Sequence, residues 1–166
     1  MPRFGKADHT GRSSGKRTGR IGALFRPPDG EPWVWNTREL LCSVAWRAMG
    51  INTRRLIDFL FIEHMNHAGT ENGQLIATYD QLTAFGLTRE SISDAKDEAI
   101  ALGLVRIEGE RQMRVSSRHR LTMYPSLGAV KPTNEWRHVT EADVAAFREE
   151  RDNRRKAALL RPAADG

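Results

Sequence analysis

The residues of this chain that could do metal chemistry are few, and the best-placed pair is His64 and His67. The two imidazoles lie three residues apart on a predicted helix, a spacing that could hold a metal ion. No cysteine, aspartate or third histidine is spaced to complete a site, and Glu63 is adjacent rather than facing. Because histidines are favoured near the negative C-terminal end of a helix, the sequence predicts a solvated helix end without a metal.

The other polar residues do not have the spacing of a catalytic site. The sequence contains neither a Ser-His-Asp order nor a cluster of carboxylates in an apolar frame. The pair Gly15-Lys16 lacks the spaced upstream glycine, the preceding strand and the following helix of a phosphate-binding loop. We therefore expect a protein that is not an enzyme and that uses no cofactor.

Positive charge is the more informative chemistry, because it is concentrated in one segment. The chain has a net charge of +5, and residues 1–32 alone hold seven Lys and Arg against three acidic residues. This segment is rich in Gly, Ser and Pro, a composition that predicts a flexible arm. Such an arm can lie along phosphates and become ordered on contact, or it can be a solubilising tail. Its candidate DNA contacts are Arg12, Lys16, Arg17 and Arg20.

The cysteine content and the hydropathy pattern indicate a compartment. The single cysteine, Cys42, cannot form an internal disulfide, and its apolar helical context predicts a small core residue in a reducing environment. Charges interrupt every apolar stretch, and no apolar run follows the basic N-terminal residues. The sequence therefore predicts a cytoplasmic, nucleoid-associated protein that makes no membrane contact.

Ordered structure is predicted to begin near Pro32, after the turn signal at residues 27–30. Trp33 and Trp35 would share one face of a strand, and one or both would anchor the arm on the core, with base stacking as the alternative. Three helices should follow, with Thr37, Ser43 and Asn52 at their starts. The third ends near His67, and its apolar stripe comprises Leu56, Ile57, Phe59, Leu60, Met65 and either Ile62 or Phe61.

The segment of residues 72–125 predicts two helices joined by a tight turn and followed by a β-hairpin. After a short β-prone run, a two-turn helix begins at an Asp80 cap and stops at Gly86. A second helix is capped by Thr88, ends before Gly103 and buries a stripe of Ile92, Ala95, Ala99, Ile100 and Leu102. Two β-prone runs, residues 104–107 and 120–124, flank a basic loop. This order of elements is typical of an α+β winged helix that contacts DNA.

The predicted organisation has three parts. Residues 1–32 form the basic flexible arm, residues 33–125 the winged helix domain with its leading helices, and residues 126–166 a linker and a C-terminal helix. Thr140 and Asp143 form an approximate capping box at the start of that last helix. Only its first half has apolar residues that could pack on the domain, so we expect its second half to be solvent-exposed.

A group of residues in the second half of the domain has a familiar order: Asn72-Gly-Gln-Leu-Ile-Ala-Thr-Tyr-Asp-Gln-Leu82, Gly86, Thr88-Arg-Glu-Ser-Ile92, Ala95 and Leu102-Gly-Leu-Val105. With these residues, the stretch from about Asn52 to Tyr124 resembles the winged helix-turn-helix DNA-binding proteins of alphaproteobacterial plasmids, prophages and integrative elements. The resemblance implies a three-helix core with a β-hairpin wing, and a role in transcription regulation or in replication or transfer of a mobile element. Double-stranded DNA would be the partner.

By position, the resemblance also implies which residues contact DNA. On the second helix of the motif, Thr88, Arg89, Glu90, Ser91 and Ser93 would face bases and phosphates. The wing would be residues 108–120, and its basic residues are Arg111, Arg114, Arg118 and Arg120.

The second helix departs from the expected pattern because it is acidic. Residues 88–102 hold two basic residues against four acidic ones, and DNA carries one charge per ~1.7 Å of axis. The first turn can still bind phosphate through its N–H groups and dipole, while Arg89 can pair with guanine and Glu90 can accept from cytosine. Asp94 and Asp97 could tilt away from the duplex.

Three further alternatives stay open at this point. The acidic face of residues 88–102 could be a docking surface for a basic protein, which makes the chain a protein–protein interaction module on a winged-helix frame. The C-terminal helix could form the interface of a homodimer, which would suit a palindromic DNA site. RNA is a smaller possibility, because the arm resembles basic RNA-binding segments, but its basic segment, residues 10–20, has no aromatic residues among its charges.

Overall fold

The computed structural model describes residues 30–108, 117–126 and 131–160. The chain divides between Trp33 and Val34 into two units, and nearly all described residues belong to the second. Within the described ranges, no helix combines the length and the apolar character needed to cross a membrane. Six of the predicted DNA contacts lie outside these ranges, namely Arg12, Lys16, Arg17, Arg20, Arg111 and Arg114.

Two short helices open the second unit, and each begins at the residue predicted to cap it. Helix α1 spans Arg38–Cys42, and the Thr37 hydroxyl accepts a hydrogen bond of 3.1 Å from the N–H three residues later. Helix α2 spans Val44–Ala48 and has the same arrangement at Ser43, also at 3.1 Å. Both predicted caps are confirmed, since a hydroxyl satisfies a helix N–H that has no partner within the helix.

Side chains around these two helices differ from the prediction. Cys42 is exposed, so its prediction as a core residue is wrong, and Leu40 fills the core position of this turn instead. Trp35 is partly exposed and packs edge-on against Tyr124, with ring centroids 5.3 Å apart. The Tyr124 hydroxyl also donates to the Trp35 carbonyl at 2.8 Å, which fixes the start of the unit to its core.

Helix α3 spans Ile51–Asn66 and has 16 residues. Its N-cap is Gly50, so the prediction of an Asn52 cap is wrong. The buried stripe includes Phe61, whereas Ile62 is 40% exposed, which settles the alternative between those two residues. The buried residues of α3 are Thr53, Leu56, Ile57, Leu60, Phe61 and His64.

A two-residue strand and a short helix follow. Strand β1 is Leu75–Ile76, and helix α4 is Tyr79–Ala84. The predicted Asp80 cap is wrong, because Thr78 caps α4 through a reciprocal capping box with Gln81. The predicted stop is confirmed. Gly86 has a φ of +101°, and the chain closes there through hydrogen bonds to the last turn of α4.

Helix α5 spans Arg89–Ala101, as predicted for the second helix of the motif. Thr88 is its N-cap by position, but the Thr88 side chain makes no capping hydrogen bond; the Thr88 carbonyl instead accepts from the Ser91 hydroxyl at 2.9 Å. The predicted apolar stripe is buried except for the half-buried Ile100, and two charged residues join it. The buried residues of α5 are Ile92, Ala95, Lys96, Glu98 and Ala99.

The three strands form an antiparallel sheet in the order β1-β3-β2. Strand β2 is Val105–Glu108 and strand β3 is Arg118–Leu121, with Val105 opposite Leu121. Strand β1 adds to the free edge of β3, with Leu75 opposite His119. Because side chains alternate along a strand, Arg118 and Arg120 share the outer face, while His119 and Leu121 are buried in the inner one.

The buried side chain of Asn72 fixes the end of the hairpin. Its Nδ2 lies 2.8 Å from the carbonyl of Leu121 and 3.0 Å from the carbonyls of both Tyr124 and Pro125. Its Oδ1 accepts the backbone N–H of Leu121 at 2.8 Å. One amide thereby satisfies backbone groups that would otherwise be buried without partners.

A 3-10 helix, Glu135–His138, leads into the last helix, α6, at Glu141–Leu159. The predicted capping box of Thr140 and Asp143 is confirmed, and its hydrogen bonds lower the pKa of Asp143. Six α-helices and a small antiparallel sheet make the described part of the chain an α+β fold. That arrangement is compatible with a winged helix.

Candidate nucleic-acid interface

The first turn of α5 presents a compact group of polar side chains. Thr88, Arg89, Glu90 and Ser93 are exposed, as the proposed contact with a ligand requires. Ser91 differs from them, because it is half-buried and turns toward the beginning of α3. Four of the five predicted contacts on this helix therefore lie at the surface.

Arg89 has two neighbours that sequence reasoning missed. Its Nη1 lies 2.8 Å from Oδ1 of Asp80 in the first turn of α4, and its guanidinium lies 5.8 Å from the centre of the Tyr79 ring. Both members of the ion pair are largely exposed, so water weakens their attraction. The guanidinium can therefore exchange this carboxylate for another acceptor at small cost.

Lys96 does not belong to the exposed charge of α5, although the sequence shows it as one of only two basic residues there. It is 5% exposed, and its ammonium lies 5.2 Å from the centre of the Tyr79 ring. On the inner face of the sheet, burial and then the charge of Lys96 lower the pKa of His119 to about 4. Helical periodicity places Lys96 on the buried face of α5 and strand alternation places His119 beside Leu121, but their residue types argue against the interior.

The acidic residues of α5 face the last helix of the same chain. Asp94 Oδ2 lies 2.5 Å from Arg155 Nη2, and Asp97 Oδ2 lies 3.5 Å from Arg154 Nη1. Glu98, which is buried, lies 3.7 Å from Arg151 Nη1. We name Arg151, Arg154 and Arg155 the arginine row. The second half of α6 is exposed from residue 152 onward, as expected, and the arginine row nevertheless pairs with α5.

Glu98 also accepts hydrogen bonds from the N-terminal end of α3. Its Oε2 accepts the backbone N–H of Gly50 at 2.9 Å and also the hydroxyl of Thr53. A cavity of about 220 Å³ adjoins this point, between α3, α5 and α6. Its polar lining consists of Asn52, Thr53, Ser91, Asp94, Glu98, Arg151 and Arg155, whose opposite charges largely neutralise each other.

The two described wing residues have different surroundings. Arg118 is exposed on the outer face of the sheet, beside Ile76 of β1. The Arg120 side chain is 25% exposed and lies 3.7 Å from Glu135, which also pairs with Arg106. Arg118 therefore lies at the surface, whereas Arg120 is held on the body of the protein.

The histidines at the end of α3 are not a solvated pair, so that prediction is wrong. His64 is buried and stacks on Tyr124 with ring centroids 5.0 Å apart, and burial lowers its pKa. His67 lies 3.3 Å from Glu63 and 3.1 Å from Glu71. Among the residues that the structure describes, no group of three or more potential ligands is placed to hold a metal ion.

Comparison with protein-family models, with curated proteins and with solved structures gives no match. The residues themselves must therefore indicate a function. At one end of α5 they combine backbone N–H groups, the guanidinium of Arg89, two hydroxyls and the carboxylate of Glu90 on an exposed surface. Asp94 and Asp97, which follow on the same helix, are turned toward cations of α6, and this reduces the negative charge that an anionic polymer would meet there.

Proposed function

We propose that this chain is a double-stranded DNA-binding protein with a winged-helix frame. The beginning of α5 lies in the major groove, while the hairpin and the basic N-terminal arm contact the backbone. Its role is the control of transcription, or an accessory role in replication or transfer of a mobile element. Arg118 remains in the proposed contact surface, and Arg120 is withdrawn from it because Glu135 holds it.

The observation that carries the proposal is the division of charge on α5. Arg89 and Glu90 in its first turn are exposed, whereas Asp94 and Asp97 pair with arginines of α6. An acidic helix would be repelled by the dense charge of DNA, and this pairing reduces the repulsion. The positive end of the helix dipole then favours phosphate, and the fork of Arg89 fits the O6 and N7 acceptors of guanine.

The same observation weighs against a protein-docking role for the acidic face. That alternative needs Asp94, Asp97 and Glu98 to be available to a basic partner. All three pair with cations of this chain, and Glu98 is also buried. A basic protein would have to displace α6, whereas DNA can reach the first turn of α5 with α6 in place.

A salt titration of the full-length protein tests the proposal directly. The protein is added to a labelled random duplex, and fluorescence anisotropy gives the binding constant at several salt concentrations. We expect micromolar binding whose logarithm falls linearly with the logarithm of salt concentration, because bound cations are released from the phosphates. Absence of binding at low salt would contradict the proposal.

Base selection is tested at Arg89 on a duplex obtained by selection from a random pool. Arg89→Ala should weaken binding to the selected site by ~1–3 kcal/mol and leave random-duplex binding nearly unchanged. The matched control is Arg47→Ala, since Arg47 is also exposed and paired with one carboxylate, that of Glu141. Equal losses on the two DNAs would refute the assignment of Arg89 to base recognition.

The arm makes a different contribution that can be measured separately. Deletion of residues 1–26 removes seven basic residues and one acidic residue. Because these charges act on phosphates without regard to sequence, the salt dependence should become flatter while the preference for the selected site persists. An unchanged slope would show that the arm does not contact DNA.

A further inference from the structure

Helix α6 runs antiparallel to α5, and its arginines pair with Asp94, Asp97 and Glu98 in the middle of α5. Arg151 pairs with Glu98, and Arg155, four residues later, pairs with Asp94, four residues earlier. Four residues, about 6 Å of helix, remain between Arg155 and the end of α6. Five residues, about 7.5 Å, separate Asp94 from Arg89. The C-terminal end of α6 is therefore nearly level with the first turn of α5.

This position determines which part of a duplex α6 could meet. Packed helices have axes roughly 8–10 Å apart, and the major groove is about 12 Å wide. A groove that receives α5 therefore has no room for α6 as well. Any part of α6 that faces the same duplex must lie against the sugar-phosphate backbone bordering that groove.

The side chains at the C-terminal end of α6 are positively charged, as contact with the DNA sugar-phosphate backbone requires. Residues 151–156 include four basic residues and one acidic residue. The Arg154 and Arg155 side chains are 53% and 58% exposed while they pair with Asp97 and Asp94. A guanidinium has five N–H donors, so these carboxylates, together with Glu150 at 3.9 Å from Nε of Arg154, leave donors for a phosphate.

We propose that Arg154 and Arg155 bind the DNA backbone beside the groove that α5 occupies, with Asp97 and Asp94 fixing the orientation of their guanidinium groups. This contact rests on the proposed DNA-binding function and adds a third basic element to the arm and the hairpin. Arg151 is not part of it, because its side chain is only 26% exposed and faces Glu98. The contact is independent of sequence, since phosphates are the same at every base pair.

The test compares full-length variants in the salt titration on a random duplex and on the selected duplex. Arg154→Ala and Arg155→Ala should each reduce the salt slope by about 1 and weaken binding by the same factor on both DNAs. Arg137→Ala is the matched control. Arg137 is also exposed and paired, with Glu39, but it lies beside the C-terminal end of α5, so its removal should leave the slope unchanged.

A second variant distinguishes loss of the Arg155–phosphate contact from displacement of α6 away from α5. Asp94→Asn breaks the same ion pair and keeps Arg155. We expect it to retain the full slope, whereas a slope reduced as much as in Arg155→Ala would show that α6 acts only by packing and would overturn the proposal. A full slope in both arginine variants would overturn it as well, while the DNA-binding function would stand. A wild-type protein that binds no DNA would overturn both.

Discussion

The carboxylate of Glu98, near the end of α5, accepts the backbone N–H of Gly50 at 2.9 Å and thereby caps α3 from another helix. The Thr53 hydroxyl donates to the same oxygen, and Arg151 lies on the other side of the carboxylate. A negative charge at the positive end of a 16-residue helix is favourable, and here it replaces the side-chain cap that glycine cannot supply. One residue thus links α3, α5 and α6.

Glu98→Gln should lower the free energy of unfolding by about 1–3 kcal/mol. The substitution keeps the size of the side chain but removes the charge that Gly50, Thr53 and Arg151 share. Urea unfolding followed by circular dichroism measures this change. Glu149→Gln is the control, because Glu149 is exposed on α6, and it should change stability by less than about 0.5 kcal/mol. Equal effects of the two substitutions would contradict the capping role.

Stability should fall as pH is lowered from 7.5 to 5, because His119 is buried in its neutral form. Its pKa is about 4 in the folded chain against 6.5 for an ordinary histidine. In that interval the unfolded chain takes up a proton that the folded chain excludes. The resulting loss reaches about 2 kcal/mol at pH 5, and the buried His64, whose pKa is also lowered, acts in the same direction.

His119→Gln removes this titration while an amide can still donate to the Leu75 carbonyl, which lies 3.1 Å from Nδ1 of His119. The free energy of unfolding of the variant, measured by urea titration at each pH, should vary less between pH 7.5 and 5. His138→Gln, at an exposed histidine, is the control and should follow the wild type. A variant with the full wild-type pH dependence would argue against His119 as the source.

Gly103→Ala should destabilise the fold more than a glycine substitution that costs only backbone strain. Gly103 has a φ of +61°, and a Cβ there would lie 2.9 Å from backbone atoms of Glu135 and Trp136. Gly69→Ala is matched, with a φ of +73° and only ordinary contacts to the His64 ring. We expect about 1–2 kcal/mol for Gly69→Ala from strain alone and a larger loss for Gly103→Ala, measured by thermal unfolding. Equal losses would mean that residues 135–136 move away without cost.

Asp80→Asn should strengthen DNA binding by up to about fivefold. Asp80 holds Arg89 in an exposed ion pair and adds a negative charge beside the proposed contact. Its removal releases the guanidinium, and an exposed pair of this kind contributes at most about 1 kcal/mol. Glu39→Gln breaks a similar pair near the other end of α5 and should leave affinity unchanged in the anisotropy assay. Weaker binding by Asp80→Asn would show that Asp80 positions Arg89 productively.

Local signals in the sequence predicted much of the fold correctly. Thr37, Ser43 and Thr140 begin helices because a hydroxyl can bond an N–H three residues later without help from elsewhere in the chain. Gly86 and Gly103 end helices because both adopt a positive φ that other residues resist. The order of helices and strands in residues 72–121 follows from such signals. The position of α5 could therefore be predicted.

Tertiary contacts account for most of the errors. Asn52 was a reasonable cap by residue type, but Glu98 supplies the cap from a residue 48 positions away from Gly50. His64 is buried by stacking on Tyr124, and Cys42 is exposed because α1 turns Leu40 inward. These outcomes depend on which elements meet, and periodicity within one element does not contain that information.

The error at Asp80 has a local cause. Thr78 and Gln81 have the Ser/Thr-x-x-Glu/Gln spacing of a capping box, and the sequence already contains that signal.

The sequence by itself determined the helices, the basic arm and the exposed polar residues at the beginning of α5, since these depend on residues close together in the chain. Only the tertiary structure decided the charge of the surface around the N-terminal end of α5. It buried Lys96, held Arg120 on Glu135, and placed Arg154 and Arg155 against Asp97 and Asp94. The physical reason is that electrostatic attraction depends on distance in space. A count of charges along the chain therefore gave α5 a net negative charge, which the arginines of α6 largely neutralise.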